Sequence, residues 1–138
     1  MKNRLFKIFL IVILSLNFTS CNNDDDNREN LNLNGTYTGT FTVEYLNGDT
    51  FSNPVTVTFS KENYQSSGND DYFPAGGSGT YDKTISTIEF NDINYWTANF
   101  DAHLILGGEY EYSLNGNELI ISANRPEFGF YKYELTKE

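Results

Sequence analysis

The chain has 138 residues and carries 9 basic against 19 acidic side chains, a formal charge of −10. That sign excludes nucleic acid as a partner and sets the protein surface against anionic membranes. A single cysteine excludes an intramolecular disulfide.

The chain opens with Lys2, Arg4 and Lys7 ahead of an apolar run over residues 8–14, with small and polar residues after it. This is the layout of a signal peptide, here residues 1–20, and the run is far short of the ~20 residues of a membrane-crossing helix. The sequence Leu16 Asn17 Phe18 Thr19 Ser20 Cys21 resembles the lipobox of bacterial lipoproteins. The resemblance implies cleavage before Cys21 and acylation of its thiol. With the leader removed, six basic side chains face nineteen acidic ones, so acyl chains rather than the protein surface hold the protein to a bilayer.

Residues 21–33 are expected to be a disordered tether, because Asn22 to Asn30 offers nothing apolar to bury. Asp24, Asp25 and Asp26 directly behind the cysteine resemble the surface-export signal of lipoproteins in one phylum of Gram-negative bacteria; a plain solvated linker is the alternative. The expected location is the outer membrane, exposed at the cell surface, with a periplasm-facing protein as the alternative.

Residues 34–138 are expected to form one domain. Ten tyrosines, eleven phenylalanines and many threonines, with one methionine, favour strands. Residues 36–45 alternate without error, with Tyr37, Gly39, Phe41, Val43 and Tyr45 on one face. The next strand offers Phe51, Val55, Val57 and Phe59. A three-residue loop at 47–49 would oppose Tyr45 to Phe51 and Tyr37 to Phe59. A short strand carries Tyr64 and Ser66, and the glycine-containing, Pro74-interrupted stretch 67–76 is a loop. A hairpin across Asp82 Lys83 follows, with Ile88 and Phe90 inward. Over 94–106 alternation predicts a strand with Trp96, Ala98, Phe100, Ala102, Leu104 and Leu106 on one face and Asp101 and His103 on the other. Gly107 Gly108 leads into Tyr110, Tyr112 and Leu114; Asn115 Gly116 reads as a two-residue turn opposing Tyr112 to Leu119; the last strand points Tyr131, Tyr133 and Leu135 inward.

Eight or nine short antiparallel strands joined by tight turns close most simply into an all-β up-and-down barrel, with a β-sandwich as the alternative. The chain from about residue 33 onward resembles the small lipocalin-like domains of bacterial surface lipoproteins, on Asn34 Gly35 Thr36 Tyr37 Thr38 Gly39 Thr40 Phe41 and on the hairpins around Gly79 Thr80 Tyr81 and residues 109–123. Tyr37 stands where that family has tryptophan. The resemblance implies a barrel, a cavity for a small apolar ligand, and no enzyme.

The residues themselves supply little chemistry. His103, the one histidine, has no nucleophile in a strained turn to serve. Gly76 Gly77 Ser78 Gly79 lacks the lysine of a phosphate-binding loop and reads as a turn, and Asn69 Asp70 Asp71 lacks the spacing of a calcium loop. No cofactor and no metal site are expected. The inward set Tyr37, Phe41, Val57, Phe59, Phe100, Tyr110, Tyr112, Ile121 and Tyr133 is large enough to fill an eight-stranded barrel. A non-enzymatic binding module, monomeric and touching glycan or protein through the loop around Asp70, Asp71, Tyr72 and Phe73, therefore ranks above a lipocalin-like carrier of a small apolar ligand.

Overall fold

The computed structural model describes residues 31–97 and 100–138. The signal peptide, Cys21, the three aspartates and the tether as far as residue 30 lie outside the described residues.

Eight antiparallel strands pair in chain order and close on themselves: β1 (Gly35–Tyr45), β2 (Thr50–Ser60), β3 (Asn63–Ser66), β4 (Gly77–Lys83), β5 (Thr87–Asp92), β6 (Gly108–Asn115), β7 (Glu118–Arg125) and β8 (Gly129–Lys137). The all-β up-and-down barrel is therefore the architecture, and the sandwich is excluded. Pairing of β1 with β8, for example Phe41 with Tyr133, closes the sheet on itself. Gly77 to Gly79 belong to β4, as the hairpin reading of residues 77–81 has it, rather than to a turn with Gly76.

Alternation sets the interior. Tyr37, Phe41, Val57, Phe59, Tyr110, Tyr112, Ile121 and Tyr133 are all buried, as expected. Aromatic rings meet in the interior, between neighbouring strands and one strand further: Tyr37 on Phe59 at 5.7 Å between centroids, Phe59 on Tyr81 at 5.1 Å, Tyr64 on Phe90 at 4.7 Å, Phe90 on Tyr110 at 5.8 Å, Phe41 on Tyr133 at 4.8 Å. Offset and edge contacts of this kind add stabilisation to the burial itself. Leu33, assigned by sequence to the tether, is fully buried in the core, so the packed domain begins before residue 34. Leu31 also packs against that core. Nothing in the polar run ahead of these leucines announces that they plug one end of the barrel.

Both sequence-based hairpin registers are corrected by two residues. Tyr37 pairs with Val57 and Val43 with Phe51, because the three-residue loop sits at 46–48 with Gly48 at φ +93 as its last residue. In the β6–β7 hairpin Tyr112 faces Ile121 and Leu114 faces Leu119, across a turn of Gly116 and Asn117. Gly116 at φ +60 takes the first loop position, the one a type II′ turn reserves for glycine. The β4–β5 turn lies at 84–86, later than expected, with Lys83 opposite Ile88.

The largest departure is at 93–107. Among the described residues no strand forms there: the segment is irregular, with a 3₁₀ turn at Ala102–Leu104, and runs as a strap over one end of the barrel. Leu104 and Leu106 are buried as a stopper, while Phe100, expected inside, is only half-buried. The strap is tied to the 67–76 loop by Ala75 N–H donating to the Leu104 carbonyl and Leu106 N–H donating to that of Gly76.

Candidate functional site

Up-and-down topology sorts the connections between two ends. One end holds the entering N-terminal segment, the turns at 61–62, 84–86 and 116–117, and the C-terminus; the other holds the loops at 46–49, 67–76, 93–107 and 126–128. Both long loops are thus at the end remote from Leu31 and Leu33, where the described chain enters the barrel.

That loop end is built around a carboxylate. Asp101 caps the 3₁₀ turn, its Oδ1 accepting from the His103 backbone N–H at 2.9 Å and lying 3.0 Å from His103 Nδ1. Its Oδ2 accepts from the Tyr131 hydroxyl of β8 at 2.6 Å and the Tyr45 hydroxyl of β1 at 3.1 Å. Burial pushes the Asp101 carboxyl up, but the bonds from Tyr131, His103 and Tyr45 more than offset that and hold it below the usual carboxylate value. The group is therefore ionised, and His103 Nδ1 donates to it. The imidazole packs on Phe128 at 4.3 Å and on Tyr131 at 5.7 Å. Asp101 and His103, expected as outward neighbours on a strand, instead pin the strap to the first and last strands.

Asp101→Asn is expected to destabilise the protein by about 2 kcal/mol, the scale of hydrogen bonds to a charged acceptor. Because the folded value is depressed, this contribution is present above the ordinary carboxylate range and is lost as pH falls through the folded value. Thermal melts at pH 7 and pH 2 check it: the variant should lose its deficit at the lower pH.

Around this anchor lies an aromatic surface. Phe73 stacks on Phe51 at 4.4 Å and 15°, Tyr72 stacks on Phe100 at 4.6 Å and 7°, and Trp96 meets Phe100 edge-on at 5.8 Å. Trp96 Nε1 donates to Asp92 at 2.6 Å, which fixes the indole. The loop expected to contact partners is thus present at this end: Asp70 and Asp71 are exposed, Tyr72 is 40% exposed, and Phe73 is half-buried against β2. The loop is not free-standing. Asn69 accepts from the Phe73 N–H and donates to its carbonyl, and the ring contacts of Phe73 with Phe51 and of Tyr72 with Phe100 tie the loop to β2 and to the strap.

Among the described residues nine large hydrophobic side chains are exposed, and seven of them lie at this end or its rim: Leu46, Phe51, Tyr72, Ile93, Tyr95, Phe128 and Phe130. Only Ile85 and Ile120 lie elsewhere. Exposed apolar side chains are thus concentrated at one end of the domain, a feature common at interaction surfaces. Sequence reasoning misses Phe51, Phe100 and Phe128 as members because each falls in an alternating or turn context that gives no sign of the end of the barrel it reaches. Compared with known proteins, the chain matches no family model, no curated protein and no solved structure.

Proposed function

We propose that this is a lipid-anchored cell-envelope protein, held to the outer membrane by acyl chains on Cys21 and exposed at the cell surface, and that it works as a non-enzymatic binding module through the loop end of its barrel. The observation that carries the binding reading is the gathering of exposed apolar side chains at the end opposite the N-terminal tether. A domain tethered at one end presents its other end outward, and long loops on a rigid scaffold are where binding residues tend to lie. A carrier of small apolar ligands would need the interior that Tyr37, Phe41, Phe59, Phe90, Tyr110 and Tyr133 occupy.

Cys21→Ser is expected to abolish incorporation of labelled palmitate and to move the protein from the membrane to the soluble fraction, with an unchanged thermal melt. Chymotrypsin added to intact cells should cut the wild-type protein after Tyr95, which is 95% exposed. A variant that still partitions with membranes overturns the anchor, and a protected Tyr95 overturns the surface location.

A further inference from the structure

We infer that the partner of the loop end is a basic polypeptide segment, one presenting Lys or Arg beside apolar side chains. The inference rests on the reading of this end as the binding face and adds the chemistry of what binds there.

The four connections at this end, 46–49, 67–76, 93–107 and 126–128, contain neither a lysine nor an arginine but five carboxylates, of which Asp101 is the internally bonded anchor and Asp49, Asp70, Asp71 and Glu127 are exposed. The cations near them make no ion pair with Asp49, Asp70, Asp71 or Glu127 among the described residues. The Arg125 guanidinium, at the end of β7, lies over the Tyr110 ring at 5.2 Å and donates to the Glu109 carbonyl, and His103 is paired with Asp101. Asp70 and Asp71 make no side-chain hydrogen bond or ion pair among the described residues, and stand beside Tyr72.

An apolar face rimmed by one sign of charge selects against most occupants. A second copy of this chain brings the same negative rim, and anionic lipid or an acidic polysaccharide is repelled in the same way. A neutral ligand gains nothing from the rim carboxylates. A basic segment pairs with them, and its ammonium or guanidinium groups also gain from the exposed rings of Tyr72 and Phe51. Its apolar side chains cover the rest of the patch.

The test uses the purified mature protein and two probes: a synthetic peptide alternating lysine with phenylalanine and leucine, also prepared with every lysine acetylated, and an array of neutral glycans. Acetylation should weaken peptide binding at least tenfold. Combining Asp70→Asn with Asp71→Asn should weaken it about fivefold at low salt, the size expected of two exposed ion pairs. Asp82→Asn with Glu118→Gln makes the same charge change at the opposite end and should leave binding unchanged, whereas Tyr72→Ser should weaken it. Equal loss from the two double variants would reduce the effect to net charge and overturn the inference. Binding of neutral glycan or acetylated peptide that needs Tyr72 but ignores Asp70 and Asp71 overturns it while leaving the loop end as the binding face. Binding that ignores Tyr72 with either probe overturns the binding face itself, and the inference with it.

Discussion

Gly39→Val is expected to leave the chain without a folded barrel. Gly39 lies in β1 opposite Val55 of β2 and opposite Leu135 of β8, so it sits in the strand that closes the sheet. A β-carbon there would overlap the Glu134 carbonyl oxygen and crowd the Leu135 backbone, atoms that no side-chain rotation can clear. Glycine within a strand commonly marks such a close approach, and here it lets β1 coil tightly enough to meet β8. Valine would force the two strands apart and reopen two edges along the seam. The cost should exceed about 4 kcal/mol, a large part of the roughly 5–15 kcal/mol that holds a domain folded. Gly107→Ala is the control, because nothing lies closer than 3.8 Å to its added carbon. Circular dichroism and a thermal melt decide the matter; a Gly39→Val protein melting within a few degrees of wild type would show the seam to be loose.

Alkali should unfold the protein cooperatively between about pH 10 and 12. Eight of its ten tyrosines have phenols held above their ordinary value of 10, with burial the leading cause in each. Tyr45 is pushed up to about 12 by burial, then by the charge and hydrogen bond of Asp101. Tyr110, 2% exposed, is pushed up to about 12 by burial, against the pull of Arg125. A folded value above the unfolded one means stability is full below pH 10 and drains as pH climbs through the folded value. For Tyr110 alone, two pH units correspond to about 3 kcal/mol. Several such groups together exceed the stability of a small domain. Absorbance at 295 nm followed alongside far-UV circular dichroism should show most phenols ionising in one step with loss of the barrel. Ionisation of all eight near pH 10 with the barrel intact would mean that their hydroxyls reach water.

How much of the fold is legible in the sequence depends on what period-two patterning can carry. It assigns faces, so the pattern alone places Tyr37, Phe41, Tyr110 and Tyr133 inside. It does not assign register, because a slip of two residues leaves every face unchanged; the expected pairings beside both Tyr45 and Asn115 slip in this way, where the φ of Gly48 and Gly116 decides. It also misleads at the strap. Trp96, Phe100, Leu104 and Leu106 alternate because a segment lying across a barrel mouth needs apolar side chains on its underside, as a strand does. The signal that separates the two is Asp101, whose carboxylate caps the turn over Ala102–Leu104 by accepting from the His103 N–H. The loop around Tyr72 is legible through its length and polarity, whereas its stacking partners Phe51 and Phe100 depend on contacts distant in sequence.

The pairing of the first strand with the last also governs when this chain becomes a protein. Ribosomes deliver β1 first, but one of its two partners is the final nine-residue strand, and the last two residues add bonds from Lys137 N–H to the Asn117 carbonyl and from Glu138 N–H to that of Thr36. Contacts spanning nearly the whole length make folding slow, since loop closure must precede any return from the contacts it allows. Without β8 the sheet keeps an open edge along β1. Closure of the barrel is then a single late step, made when β8 finds the free side of β1.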